Sequence, residues 1–201
     1  WKKLFKNFFF HWYLIILNIY SRNTHRVYLK FMSIQINYKK NSLKKPSANL
    51  VLFTDEKFNI NHLKKYISNS EFSYIDDLLK TSDLNKNLFV FEVNSKKRIV
   101  LISIKKNIKT SDIENLGAKL YGRINYGKNS QYFVSSDSVI GKHENFIGHF
   151  LHGLKLKSYE FNKYKTKKET RLISINIFGI KNKVSVQNQL KFKALEEGTF
   201  F

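Results

Sequence analysis

Residues 98–124, RIVLISIKKNIKTSDIENLGAKLYGRI, place a run of β-branched and other apolar residues shortly before a segment with helical periodicity. The run Arg98–Ile104 predicts a buried strand. Apolar residues at 113, 116, 120, 121 and 124 predict one buried face of a helix. Ser111 and Glu114 have the spacing of a capping box, which places the predicted start of this helix at Ser111. A strand followed by a helix is the repeating unit of α/β layer folds.

The same alternation covers the chain from residue 32 onward. Two early hairpins, one between the first two strands and one at residues 94–97, predict a mixed sheet rather than a purely parallel one. The sequence therefore predicts an α/β fold in which a mixed sheet is flanked by helices on both faces. The predicted strands are Ile34–Tyr38, Asn49–Phe53, Leu88–Val93, Arg98–Ile104, Gln131–Ser135 and Leu172–Phe178. The predicted helices are Asn59–Ser68, Tyr74–Lys80, the segment from Ser111 to Ile124, a segment with the apolar stripe Phe146, Ile147, Phe150, Leu151 and Leu154, and a last helix from Val186 to the end.

Composition excludes several classes of site. The chain has 201 residues, of which 42% are hydrophobic, so it is long enough for one domain with a substantial core. It has no cysteine, which excludes disulfides, thiolate metal ligands and a cysteine nucleophile. Its eight glycines form neither a dinucleotide-binding motif nor a Walker loop, so a phosphate cradle of either type is not supported.

The formal net charge of +21 raises the question of a polyanionic partner. Of the 36 basic residues, 31 are Lys, and they are spread over the whole chain. Selective recognition of phosphates and bases favours Arg, so this pattern indicates compositional drift more than a binding surface. The alternative is a basic nucleic-acid-binding module, in which aromatic rings of the segment 155–168 stack on bases beside Lys163, Lys165, Lys167 and Lys168.

Residues 1–31 differ from the rest of the chain. They carry six basic residues and no acidic one, and their apolar run from Phe8 to Tyr20 is too short to span a bilayer. The only methionine, Met32, opens the first predicted strand. We therefore expect residues 1–31 to be an upstream leader or spurious translation, 32–185 to form the domain, and 186–201 to begin a linker helix. A membrane association is not expected.

Few residues suggest catalytic or metal chemistry. His143, His149 and His152 lie within ten residues, and the last two have a helical spacing that could present two imidazoles to a metal. A metal site needs further ligands, and only Glu144 is nearby, so we favour hydrogen-bonded or solvent-facing histidines over a metal site. The adjacent pairs Asp76-Asp77 and Glu196-Glu197 point about 100° apart on a helix, which indicates surface acids.

Three segments resemble parts of a known family. The spacing of Gly153, Leu156, Tyr159, Phe161, Tyr164 and Lys165 resembles the block that closes the N-terminal domain of the leucyl aminopeptidase family. The stretch 194–201, with Glu197 and Gly198, resembles the start of the linker helix in that family. The strand Arg98–Ile104 and the helix after it are similar to the central strand and following helix of the same domain.

The resemblance implies a macro-domain-like fold and a non-catalytic domain of a cytoplasmic metallo-exopeptidase. The family's catalytic domain holds two divalent ions, commonly zinc, manganese or magnesium. The resemblance also implies a homo-hexamer, in which the N-terminal domain contributes to assembly and to access to the active sites. This chain contains no stretch that matches the family's metal-binding motif, so we expect it to be inactive alone, to hold no cofactor, and to precede a missing catalytic domain. No residue of this chain is assigned as catalytic or metal-binding.

Overall fold

A computed structural model describes residues 34–39, 48–126, 130–141, 143–159 and 172–200 of the chain. These residues form six strands and four α-helices, with short 3-10 turns at Asn61–Leu63 and Ser136–Ser138. The strands are β1 (Ile34–Tyr38), β2 (Asn49–Thr54), β3 (Leu88–Asn94), β4 (Lys97–Ser103), β5 (Gln131–Ser135) and β6 (Ile173–Phe178). The helices are α1 (Asn69–Thr81), α2 (Thr110–Ile124), α3 (Phe146–Ser158) and α4 (Val186–Phe200).

The strands form one mixed sheet with the order β1-β6-β5-β2-β4-β3. All neighbouring pairs are parallel except β3 and β4, which form the predicted hairpin. A hydrophobic core lies on each face of the sheet. One core packs α2 and α3 against the sheet, and the other packs α1 and the 3-10 turn Asn61–Leu63 against the opposite face. The predicted α/β fold is therefore confirmed.

The predicted first hairpin is wrong. Strand β1 does not pair with β2 but lies parallel to β6 at the far edge of the sheet, where Ile34 is opposite Ile173. The short separation of two strands in sequence favours a hairpin only when their edges meet in the sheet. Here β5 and β4 occupy both positions beside β2, so β1 cannot pair with it. Among the described strands, the single antiparallel pair is β3 with β4.

The predicted helix Asn59–Ser68 is also wrong. Only Asn61–Leu63 forms a 3-10 turn there, and the following helix α1 is longer than the predicted segment Tyr74–Lys80. The helix begins at Asn69 because Ser68 has an extended backbone and forms a capping box with Glu71. The apolar residues Ile60, Leu63 and Ile67 are still buried, so the apolar pattern was correct although the element was not.

The capping box predicted at Ser111 does not form. Helix α2 begins one residue earlier, at Thr110, and its N-cap residue Lys109 has no side-chain capping bond. Ser111 therefore lies inside the first turn. The apolar face of α2 is as predicted, since Ile113, Leu116, Leu120, Tyr121 and Ile124 are all buried.

Candidate functional site

Helices α2 and α3 cross at two glycines. A Cβ atom at Gly117 would collide with the carbonyl oxygen of Phe150, and a Cβ atom at Gly153 would collide with the carbonyl oxygen of Glu114. The two helix backbones therefore touch, which any larger side chain would prevent. Gly153 is the first residue of the block that carries the family resemblance, and in this structure its role is close helix packing.

Polar contacts surround this crossing. The Nδ1 atom of His149 lies 3.0 Å from Oε1 of Glu114, which joins α3 to α2. On the next turn, Nδ1 of His152 lies 3.4 Å from Oε1 of Glu196, and Lys155 donates to Oε2 of the same carboxylate at 2.7 Å. Glu196 belongs to α4, so the two side chains of α3 hold the last helix in place.

The expectation that Glu196 is a surface acid is wrong. Its side chain is only 2% exposed. A buried carboxylate is costly unless it is paired and hydrogen-bonded, and Lys155 and His152 supply both the charge and the donors. Its neighbour Glu197 lies at the surface, where its Oε1 atom is 3.8 Å from Nζ of Lys193. Adjacent side chains on a helix point about 100° apart, so one of the two acids can be buried while the other is exposed.

Phe192 is the apolar counterpart of Glu196 on α4. Its ring packs against the rings of His149 and His152, at centroid distances of 5.0 and 5.3 Å. A Cβ atom at Gly148 would collide with the Phe192 ring, so this glycine provides the space that the ring occupies. Helix α4 is thus attached by a narrow stripe, while Leu190 and Leu195 on its other sides are exposed.

Tyr38, at the end of β1, is also influenced by Glu196. Tyr38 is 43% exposed as a whole residue, but partial burial of its phenol, with the negative charge of Glu196 as a second cause, raises the pKa of Tyr38 to about 12. The phenol therefore stays neutral at pH values where an ordinary tyrosine ionises. The carboxylate of Glu196 thus contacts two side chains of α3 and also raises the pKa of a tyrosine on the edge strand β1.

The structure does not bring the three predicted histidines together as a metal site. His149 and His152 each face a different carboxylate, and His143 lies against the ring of Phe146. Among the described residues, no group of three or more His, Asp or Glu side chains could hold a metal ion. These side chains form hydrogen bonds and ring contacts within the protein.

The described part of the chain includes five of the eight residues that carry the resemblance. Gly153 and Leu156 lie on α3, Tyr159 directly follows it, and Glu197 and Gly198 lie on α4. A Cβ atom at Gly198 would meet nothing within 4 Å, so packing inside the described chain does not require this glycine. Phe161, Tyr164 and Lys165 lie outside the described residues, as do Lys163, Lys167 and Lys168 of the alternative nucleic-acid surface.

Asp76 and Asp77 are surface acids, as predicted. Both lie on α1, and Lys80 reaches Asp76 at 2.7 Å and Asp77 at 3.4 Å. These contacts are exposed pairs one helical turn apart, which contribute little to stability.

Sequence reasoning missed a second partly buried ion pair. Lys97 Nζ lies 2.6 Å from Glu71 Oε1, and the two side chains are 9% and 12% exposed. Burial opposes ionisation of Glu71, but hydrogen bonds from Lys97 and from the backbone of Ser68 outweigh it and lower the pKa of Glu71. The only sequence signal was the Ser68-x-x-Glu71 capping pattern, which the predicted helix Asn59–Ser68 concealed.

No helix in the described ranges has both the length and the apolar character needed to cross a bilayer.

The chain was compared with family models, curated sequences and solved structures. No protein-family model and no curated protein sequence matches the chain. A solved structure of a mutant tomato leucine aminopeptidase is similar, with a TM-score of 0.57 and 17% sequence identity. The similarity covers 81% of this chain but only 35% of the tomato chain, so this chain spans about a third of that enzyme's length. At this identity the likeness shows a shared α/β fold.

Proposed function

We propose that this chain is the non-catalytic N-terminal domain of a leucyl-aminopeptidase-like metallo-exopeptidase. The observation that carries this proposal is the unequal coverage of the structural likeness, which takes in 81% of this chain and 35% of the tomato enzyme. Such coverage fits one domain of a larger enzyme. The resemblance of the Gly153 block and of residues 194–201 to parts of that family supports the same assignment.

Helix α4 fits the role of a linker helix. It is attached to α3 by Phe192 and Glu196, while most of its remaining surface is exposed. A helix held by one narrow stripe can leave the domain without loss of either core. In this proposal the Glu196–Lys155 pair sets the direction in which the chain continues toward a catalytic domain.

The metal chemistry belongs to that proposed second domain. Aminopeptidases of this family use two divalent ions to activate water and polarise the scissile carbonyl. The described residues of this chain do not fit such a site, because none of their His, Asp and Glu side chains converge as a ligand set. This chain would instead contribute to hexamer assembly and to access to the active sites in a cytoplasmic enzyme.

The reading frame beyond residue 201 tests the proposal most directly. Sequencing the transcript from its native locus should show an open frame that continues into a domain with Lys, Asp and Glu metal ligands. A stop codon directly after residue 201 would count against the domain assignment.

An activity assay on the purified 201-residue chain gives a second test. We expect no release of leucine from a leucyl substrate with manganese added, because the chain lacks a ligand set for the ion. Turnover that copurifies with the chain and is abolished by a chelator would overturn the assignment as a non-catalytic domain.

A further inference from the structure

A groove of about 660 Å³ runs along the outer side of α2. Its walls come from Ser103 at the end of β4, from the loop that follows, from α2 itself, and from Lys157 near the end of α3. We name it the α2 groove. Its volume lies within the usual range for small-molecule sites, roughly 300–1,000 Å³.

Three exposed lysines line the α2 groove. Lys105 comes from the loop after β4, Lys119 from the middle of α2, and Lys157 from the last turn of α3. Among the described residues, none of the three forms an ion pair with a carboxylate. By contrast, Lys97 and Lys155 each form an ion pair with a glutamate. The groove lining therefore includes three lysines that form no ion pair within the described part of the chain.

The remaining lining is suited to a small organic molecule rather than to a bare ion. Asp112 is the one carboxylate among the lining residues, so the lining carries a formal net charge of +2. Asn87 and Asn115 supply amide donors and acceptors, and the buried Leu116 supplies apolar surface. A few polar groups around an apolar surface is the usual composition of ligand sites.

We propose that the α2 groove binds a small organic anion with at least two negative charges, either a phosphate ester or a polycarboxylate. Ammonium groups bind phosphate and carboxylate oxygens through charge-assisted hydrogen bonds. Three lysines in one groove favour a multiply charged ligand over a monoanion. Asp112 repels negative charge in the part of the groove that it lines.

The experiment uses the full 201-residue chain and two probes, phenyl phosphate and citrate, in isothermal titration calorimetry at about 0.15 M salt. The groove variant combines Lys105→Gln, Lys119→Gln and Lys157→Gln. The control variant combines Lys57→Gln, Lys96→Gln and Lys191→Gln, three exposed lysines outside the groove. Both variants lose the same net charge, so they separate local binding from the general charge of the protein.

At least one probe should bind the unchanged chain, and the groove variant should bind it at least about tenfold more weakly, while the control variant stays within about twofold. The probe that binds distinguishes a phosphate ester from a polycarboxylate. Asp112→Asn should strengthen the same binding by about two- to fivefold, because it removes a like charge from the groove. Equal weakening in the groove and control variants, or no binding of either probe, would overturn the proposal.

Discussion

The two glycines at the crossing of α2 and α3 have no room for a methyl group. Gly117→Ala and Gly153→Ala should each lower the free energy of unfolding by about 1–3 kcal/mol, because the added carbon forces the helix backbones apart. Urea unfolding followed by circular dichroism measures this change.

Gly122→Ala is the matched control on the same helix. A Cβ atom at Gly122 would meet nothing within 4 Å, so the substitution should stabilise the protein by about 0.5–1 kcal/mol through helix propensity. If Gly117→Ala and Gly153→Ala were as favourable as Gly122→Ala, the close crossing of α2 and α3 would be wrong.

The Glu71–Lys97 pair ties α1 to the β3–β4 hairpin. Lys97→Met removes the positive charge and leaves the Glu71 carboxylate poorly compensated. We expect a loss of about 3 kcal/mol in the free energy of unfolding. Glu92→Gln breaks an exposed pair with Arg98 on the same hairpin and should cost no more than about 1 kcal/mol. Similar losses for the two variants would contradict the partly buried environment of Glu71.

The same pair predicts a pH dependence. Because the pKa of Glu71 is lowered in the folded state, its contribution to stability is complete above the ordinary value of 4.5 and is lost as the pH falls below it. The difference in urea midpoint between the unchanged chain and Glu71→Gln should therefore be constant near neutral pH and should shrink below pH 4.5. A difference that grows on acidification would have the wrong sign.

At single residues, the sequence predicts burial better than it predicts charge pairing. The apolar faces of α2 and α3 were predicted correctly because helical periodicity is a local property. The burial of Glu196 was not predicted, because its partner Lys155 is 41 residues away and only the packing of α4 on α3 brings the two together. Two adjacent acids on a helix carry no sequence signal that distinguishes the buried one.

At the level of elements, two serines offer a direct comparison of capping. Ser68 accepts a hydrogen bond from the Glu71 backbone at the start of α1, whereas Ser111 lies within α2 and caps nothing. Ser68→Ala should lower the free energy of unfolding by about 1 kcal/mol. Ser111→Ala should have little effect or a small stabilising one. Thermal unfolding of the two variants decides this, and a larger loss for Ser111→Ala would contradict the observed start of α2.

Helix α4 depends on a single aromatic anchor. Phe192→Ala should detach α4 locally, so its amide protons should exchange at least tenfold faster, while exchange in β2 and β4 stays unchanged. Leu190→Ala is the control, since Leu190 is 63% exposed on the same helix. Unchanged exchange in α4 after Phe192→Ala would show that other contacts hold the helix.

Elements with strong local signals were predicted well, and their arrangement was not. All six strands were predicted within one or two residues, because each is a short apolar or alternating run. The partner of β1 could not be predicted, since parallel pairing with β6 depends on the packing of everything between them. The groove beside α2 was missed for the same reason, as its three lysines come from separate elements.

At the scale of the whole molecule, the charge of +21 predicts only non-specific contact with nucleic acid. Binding to single-stranded DNA or RNA should be detectable at low salt and should vanish near 0.15 M, because it rests on counterion release alone. Fluorescence anisotropy across a salt titration measures this. Binding that persists at 0.15 M and is lost on replacing Lys163, Lys165, Lys167 and Lys168 with Gln would instead support the nucleic-acid-binding alternative.

The pairing of β1 with β6 has a consequence for synthesis on the ribosome. Asn37 of β1 donates to Ser174 of β6 across 137 residues of sequence. At roughly 5–20 residues per second, translation of that interval takes roughly 7 to 27 s. Strand β1, the first described strand to leave the ribosome, is therefore without its native neighbour until β6, the last described strand, has emerged. An unpaired strand edge can pair with another nascent chain. We therefore expect the yield of folded protein to depend on how well a chaperone or the ribosome surface shields β1 during this interval.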